Sequence, residues 1–576
     1  MADIALRFER DIVVLDGAMG SLLMAEGIDT ETHPMHVNVL DPELIESIHK
    51  RYLLAGAQAI TTNSFSGSKV SLAAYGLEAQ ADELNRAAVR IARSCRPQHI
   101  LADVGPCGLL LPPYGSAAFD AVFAIYAEQI ASLASEEPDA ILIETMIDIA
   151  DARLALLAAK SVTDLPVFVS VSFDEHGLMP LSATSAAAAA LILEAAGADV
   201  IGINCSLGPA AMLSLTSQMA AVTALPLLAQ PNSGLPLVDR SGQVTYSGTP
   251  DQMAEAAWAF RQLGVQFIGS CCGSDPAHTA AIFATVGDTD VAISGRKQRL
   301  GMALASPRSL VEIALDKPCI SVGELLGVAD AERIASEFRS GAFASASDAC
   351  IDLNETGIDL LSVNLDAEGV TSVAGSAIQY AALISELVSV SRAPLILGCQ
   401  DMTALEAALR VYPGKAMIGP FCASDENLQP FLSLASHYGA AVIVFCDNET
   451  PAQAEQVLLV ADIVSLKKTD ILFDIQSANA GGVDDALAQT ISTVKAFKSR
   501  DLLTFASATR HSSDHAAFGS DDYSRLQIDF VKATIAAGIN AVTFDTKDEQ
   551  VAAAFQAANE LRELNRLSRI GSGALA

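Results

Sequence analysis

Through the first half of the chain, short and almost uninterrupted apolar runs alternate with Ala/Leu-rich stretches of helical spacing. The runs are IVVLDG (Ile12 to Gly17), AITTNSF (Ala59 to Phe65), ILADVGP (Ile100 to Pro106) and AILIET (Ala140 to Thr145). PVFVSVSF (Pro166 to Phe173), DVIGINCS (Asp199 to Ser206), PLLAQPN (Pro226 to Asn232) and QFIGSCC (Gln266 to Cys272) complete the series. Runs that are apolar throughout, rather than alternating, indicate parallel strands covered on both faces. Between them, PELIESIHKRYLLAGA (Pro42 to Ala57) sets its apolar residues on one helical face and reaches a glycine near its end. Eight strand–helix units predict a (β/α)8 barrel. An open, doubly wound sheet is the alternative, and it requires a switch in strand order.

After a stretch without strand signal, a second series begins: CISVGE (Cys319 to Glu324), LLSVNLD (Leu360 to Asp366), PLILGC (Pro394 to Cys399) and AMIGPF (Ala416 to Phe421). It continues with AVIVFCD (Ala441 to Asp447), ILFDI (Ile471 to Ile475), LLTFAS (Leu502 to Ser507) and NAVTFD (Asn540 to Asp545). The α/β chain therefore reads as two tandem (β/α)8 TIM barrels. The first covers 1–287, a linker 288–317, and the second 318–576.

Composition narrows the function classes. Of 576 residues, 51% are hydrophobic and 18% charged, and mean hydropathy is +0.35, so large cores are available. Thirty-five basic residues against 68 acidic ones leave a formal charge of −33. A surface that acidic repels phosphate backbones and anionic lipid, which argues against nucleic acid or a membrane as a main partner. No apolar run is long enough to span a bilayer, and the charged start MADIALRFERD lacks the apolar core of a secretory signal. Ten cysteines are too sparse for a disulfide scaffold, so reduced thiols and a cytoplasmic location are expected.

Three of those cysteines stand where barrel chemistry gathers, at the C-terminal ends of strands. Cys205 closes the sixth run in GINCSLGP, and Cys271 with Cys272 closes the eighth in GSCCGS. Adjacent strand residues point to opposite faces, so Cys271 and Cys272 converge only where the chain has already turned; Gly269 and Gly273 permit that turn. Three thiolates from two strand ends make a zinc site with one position open. Such a centre lowers the pKa of an incoming thiol yet leaves its sulfur electron-rich, which suits alkyl transfer to a thiol rather than hydrolysis. A single buried cysteine is ordinarily an inert core residue, and Cys95, Cys107 and Cys446 are read that way.

VLDGAMGS, ITTNSF, LIET, GINCSLGP, QPNSGLP and IGSCCGSDPAH, in this order and spacing, resemble the zinc-dependent homocysteine S-methyltransferases. The likeness is greatest to the N-terminal module of cobalamin-dependent methionine synthases and covers almost all of residues 9–285. It implies that Cys205, Cys271 and Cys272 ligate zinc and that the homocysteine thiolate takes the fourth position. It further implies that Asp16 and Glu144 hold the amino-acid end of homocysteine, with backbone N–H groups around Gly17 and the Asn63–Ser64 turn for the carboxylate. Asp16 alone is equally a turn-capping residue. Glu144, ending an apolar run, is expected to be buried and in need of a partner. His278 reads as a helix-start residue, not a fourth ligand.

The second half resembles the pterin-binding barrel that follows the homocysteine module in methionine synthases, through VGE (Val322 to Glu324), Asn364 with Asp366, GKAMIG (Gly414 to Gly419) and Phe473–Asp474. Three polar positions of that pattern are replaced, by Ser362, Gly398 and Gly419. A pterin is held by a few placed hydrogen bonds worth ~1–3 kcal/mol each, so their loss weighs against tight methyltetrahydrofolate binding. Glu324, Asn364, Asp447 and Asp474 remain, as a residual pterin pocket or as local structure. The D-x-H-x-x-G cobalamin signature does not occur. A corrinoid, if used, is therefore expected on a separate protein. His511 and His515 in HSSDH read as a solvated turn, and no phosphate-cradling glycine loop or Ser–His–Asp set stands in context.

The expected activity is zinc-dependent methyl transfer to homocysteine, giving methionine. The donor is left open among a methyl-corrinoid protein, a route from methyltetrahydrofolate, and a sulfonium such as S-methylmethionine. The alternatives are a non-catalytic two-barrel scaffold with a structural zinc, and methylation of another thiol or a selenol.

Overall fold

The computed structural model describes residues 12–29, 31–238, 244–287, 301–326, 336–337, 340–365, 377–446, 450–475, 483–509 and 520–573. The chain divides into two compact units, Met1–Arg299 and Leu300–Ala576.

In the first unit, eight parallel strands form the wall. They are β1 (Val13–Val14), β2 (Ala59–Thr61), β3 (His99–Val104), β4 (Ala140–Met146), β5 (Val167–Val171), β6 (Val200–Asn204), β7 (Leu227–Gln230) and β10 (Phe267–Ile268). Their order is β1-β10-β7-β6-β5-β4-β3-β2, and the bridge Leu15↔Ala59 brings the two ends together. A hairpin of β8 (Pro236–Val238) and β9 (Val244–Tyr246) is inserted between β7 and β10. The outer helices form as patterned: in Pro42–Leu54, Asp41 accepts the Leu44 N–H at 3.1 Å, proline opens the first turn, and Ile45, Ile48, His49 and Tyr52 share the buried face.

Alternation along the strands decides what the barrel encloses. Val13, Leu15, Ala59, Leu101, Ala140, Leu142, Phe168, Val200, Leu228 and Phe267 pack into one apolar cluster. Two residues further along the same inward phase come Thr61, Asp103, Glu144, Ser170, Gly202 and Gln230, and beyond them Ser172 and Asn204. An apolar floor is therefore capped by a polar layer at the C-terminal mouth.

The second unit is a closed barrel of β13 (Ile320–Glu324), β14 (Leu360–Asn364), β15 (Leu395–Gly398), β16 (Met417–Cys422), β17 (Ala441–Phe445), β18 (Ile471–Asp474), β19 (Leu503–Ser507) and β20 (Ala541–Thr543). Both barrels anticipated from the hydrophobic pattern are present. The segment read as a linker over 288–317 is not merely connecting chain. From Met302 to Ile313 it forms an antiparallel hairpin, β11 (Met302–Ala305) with β12 (Leu310–Ile313). Met302, Leu304, Val311 and Ile313 join the same core as Ile320, Leu360, Met417, Ala441 and Leu472, and Asn540 donates to the Ala314 carbonyl at 3.0 Å. The hairpin thus plugs the N-terminal end of the second barrel. Its alternation is short and interrupted by Ser306–Ser309, which hides a plug from periodicity alone.

No helix among the described residues is long and apolar enough to cross a membrane.

Candidate metal and amino-acid site

The chain turns sharply where β6 ends. Cys205 and Ser206 have φ of +59° and +58°, in the left-handed region that side chains seldom adopt. The Cys205 N–H donates to Gln230 O at 3.1 Å, and the Leu207 N–H returns to Cys205 O at 2.6 Å, so the turn is anchored to β7. After β10, Gly273 takes φ +78°, and a Cβ there would lie 2.1 Å from the Tyr246 ring. The turn and the β8–β9 hairpin therefore both require this glycine. Cys271 N–H donates to Pro231 O at 2.9 Å, and the hydroxyl of Ser274 donates to Cys271 O at 2.7 Å.

The two turns bring the three sulfurs together. Cys205 Sγ and Cys272 Sγ are 3.7 Å apart, and all three sulfurs lie within 4.8 Å of one another. Tetrahedral sites with Zn–S near 2.3 Å have S···S separations of about 3.8 Å, so the donor set and its spacing fit a single thiophilic ion. No other such group occurs among the described residues. All ten cysteines are free thiols. Hydrogen bonds from Cys271 and then Cys272 pull the Cys205 thiol down to about 3, while donating to that thiolate pushes Cys272 up to about 11 and Cys271 upward. The trio thus carries one negative charge by itself and resists gaining more without a cation.

The acids expected at the ends of strands one and four stand at the same mouth. Asp16 is buried and accepts from Thr61 N–H at 2.9 Å and Thr61 hydroxyl at 2.8 Å, which ties β1 to β2. Burial outweighs those hydrogen bonds and lifts it to about 7. Glu144 lies at a register shift between Ile143 and Met146, where Thr145 takes φ +58°. It is raised to about 8, by burial first, then by the Cys205 thiolate and Asp16.

Asn204 fixes that bulge, a role its position in the sequence does not announce. Fully buried, it accepts from Thr145 N–H and the Ser170 hydroxyl, each at 2.8 Å, and donates to Thr145 Oγ1 at 2.7 Å. Asn232, in the QPNSGLP motif, is buried beside Cys205, and its Oδ1 has no hydrogen-bond partner. Only the fold discloses Asp103, whose run ILADVGP looked like plain strand.

Other expected residues serve the frame. Gly17 is packed so tightly that a Cβ would meet Ser274 Oγ at 2.7 Å and the Tyr52 ring at 3.0 Å. The Asn63 amide donates to Pro34 O and Asn38 Oδ1, both at 2.9 Å; the Ser64 hydroxyl donates to Asp103 O at 2.7 Å and its N–H to Thr62 O at 2.9 Å. His278 sits in the first turn of the helix Pro276–Val286, in a capping box with Asp275, and its Nε2 is 2.9 Å from Ser233 Oγ. It braces the loop whose Ser233 N–H meets Cys272 O, at 3.0 Å, as a helix-start residue should.

Residues 13–286 match the family model described as homocysteine S-methyltransferase. The match spans the first barrel almost from end to end. Residues 350–504, in the second barrel, match the model of the CO dehydrogenase/acetyl-CoA synthase delta subunit. Methionine synthase of Mycobacterium tuberculosis (strain ATCC 25618 / H37Rv) is 27% identical over 528 residues, covering 87% of this chain and 43% of that protein. Methionine synthase of Mycobacterium leprae (strain TN) is 28% identical over 531 residues, covering 84% and 43%. The chain thus spans less than half the length of these curated relatives. The crystal structure of the homocysteine methyltransferase MmuM from Escherichia coli, oxidized form, aligns with a TM-score of 0.42 at 26% identity over 49% of this chain and 98% of that one.

In the second barrel the expected polar groups stand in differing settings. Glu324, Asn364 and Asp474 occupy inward positions at the ends of β13, β14 and β18. Glu324 is exposed and accepts from the Thr509 hydroxyl at 3.0 Å, whereas Asp474 is fully buried. Asp447, His511 and His515 lie outside the described residues. The Asn364 amide fills the space over Gly398, where a Cβ would approach Asn364 Oδ1 to 2.5 Å. At Gly419, φ is +114° and a Cβ would lie 2.5 Å from Ile443 O. The two replaced positions are therefore built around the absence of a side chain.

Proposed function

We propose that this chain transfers a methyl group to the thiol of homocysteine, with zinc held by Cys205, Cys271 and Cys272. The observation that carries the reading is the convergence of three sulfurs with Asp16 and Glu144 at one barrel mouth. Zinc bound there supplies a Lewis acid that favours the thiolate form of an incoming thiol. Ionised by the approach of a cation, Asp16 and Glu144 become acceptor-only groups suited to the substrate's ammonium, orienting the amino acid so that its thiol reaches toward the three sulfurs. Gly17 and the Asn63–Ser64 turn shape the wall beside them, nearest the carboxylate end.

The methyl donor reaches this thiol from outside the first barrel, as a methyl-corrinoid on a separate protein, a methyltetrahydrofolate-derived methyl, or a sulfonium. The crowding at Gly398 and Gly419 supports a second barrel that no longer grips a pterin in the inherited way, leaving Glu324, Asn364, Asp447 and Asp474 as remnants. Free thiols throughout and an acidic chain fit a reducing cytoplasm.

Calorimetric titration of the zinc-loaded protein tests the reading, with homocysteine in one arm and methyltetrahydrofolate in the other. Homocysteine should bind and methyltetrahydrofolate should not. Glu144→Gln should weaken homocysteine about 10–100-fold, the loss of one charge-assisted hydrogen bond, with zinc content unchanged. Unaltered homocysteine affinity in that variant rejects the assignment of Glu144. No homocysteine binding by the zinc-loaded wild type rejects the function.

A further inference from the structure

We propose that Asp103 is a third acidic anchor for the ammonium group of the substrate, set beside Asp16 and Glu144 at the barrel mouth. The proposal rests on homocysteine being the acceptor and deepens that reading.

Asp103 is the fifth residue of β3 and shares the inward phase of Leu101, which belongs to the barrel core. Its backbone is pinned on both sides: its N–H donates to Thr62 Oγ1 at 3.0 Å, and its carbonyl accepts from the Ser64 hydroxyl at 2.7 Å. The hydrogen bond between Thr62 and Ser64, at 2.6 Å, locks both pins. The side chain is thus carried to a set place, with the residue only 5% exposed, and there its Oδ1 has no hydrogen-bond partner. A buried polar atom without a partner costs about 1–3 kcal/mol, and more for a charged group, so a ligand is the natural completion.

The surroundings identify the ligand's charge. Glu144 and Asp16 are the two groups whose charges act on Asp103, and no lysine, arginine or histidine contributes at any of the three acids. Three carboxyl groups facing one mouth without a cation of the protein call for a cation from outside. The three acids are spread more widely than the three cysteines, whose sulfurs alone among the described residues lie close enough to share one metal ion. That leaves an organic cation. A primary ammonium has three N–H donors and no acceptor, and an ionised carboxylate only accepts, so acids at the mouth are the groups that match it. The consequence is selectivity: the domain should favour thiols that carry an α-amino group over the same thiol without one.

The test compares homocysteine with its des-amino analogue, 4-mercaptobutanoate, by calorimetry on the zinc-loaded full chain. Wild type should bind homocysteine more tightly. Asp103→Asn and Asp103→Ser should each cut that preference about 10–100-fold, with zinc content and 4-mercaptobutanoate affinity unchanged, which also certifies that the variants are folded. An undiminished preference in the folded variants overturns the assignment of Asp103 alone and leaves the function standing. Failure of homocysteine to bind the wild-type protein overturns both.

Discussion

Loading the cysteine trio with zinc should release two protons per ion at pH 7. Cys205, at about 3, is already a thiolate at that pH, while Cys272, at about 11, and Cys271, also raised, still hold theirs. A thiol at about 11 is ionised roughly once in ten thousand at pH 7, so deprotonating it costs about 5 kcal/mol. Thiolate-rich zinc sites bind with apparent free energies of roughly 10–16 kcal/mol at this pH, enough to drive the loss. Calorimetric zinc titrations in buffers of differing ionisation enthalpy count the protons directly. Two is the expected number, and the logarithm of zinc affinity should rise by about two per pH unit near neutrality. Release of three would mean that no preformed thiolate exists; release of one would mean that a sulfur does not bind. Either result refutes the reasoning.

Three further perturbations follow from other parts of the fold. Asn204→Ala strips partners from Thr145 N–H, Thr145 Oγ1 and the Ser170 hydroxyl, and should cost about 2–4 kcal/mol in urea unfolding while weakening homocysteine through Glu144; a loss below about 0.5 kcal/mol would show the bulge to be self-supporting. Asp151 is buried, accepts from Tyr126 OH at 2.9 Å, and is lifted by burial from 3.8 to about 7. Because its folded-state pKa is the higher one, the native state holds a proton that the unfolded chain has lost. Its contribution to stability is therefore fully present below about pH 4 and declines as pH rises to 7. Asp151→Asn should remove that decline and stabilise the protein at pH 8 by up to about 4 kcal/mol, which denaturation at pH 5 and 8 would check. Gly398→Asp reinstates the acid of the pterin pattern but meets Asn364 at 2.5 Å, so it should destabilise the second barrel by about 1–3 kcal/mol without gaining methyltetrahydrofolate affinity. Unchanged stability in that variant would show that Asn364 simply swings aside.

Strand count, barrel class and the three cysteines that converge at the mouth were legible along the chain because each is a local property. Continuous apolar runs announce buried parallel strands, and cysteines at run ends beside glycines announce themselves by position. The Met302–Ile313 hairpin was not legible, since its two strands are of four residues each and gain meaning only by filling the end of a closed barrel.

What tertiary structure alone decided is which polar residues share a mouth and which are spent on the frame. Asn63 and Ser64 lie in a motif of the domain, yet their side chains brace the loop at Pro34 and the strand at Asp103. Asp103, unremarkable in ILADVGP, is turned inward beside Asp16 and Glu144 by the phase of β3. Asn204 lies one residue from Cys205, but its task on β4 concerns a residue 59 positions away. The physical reason is common to all of these: hydrophobic periodicity depends on neighbours along the chain, whereas hydrogen-bond partners and charge fields depend on neighbours across the barrel.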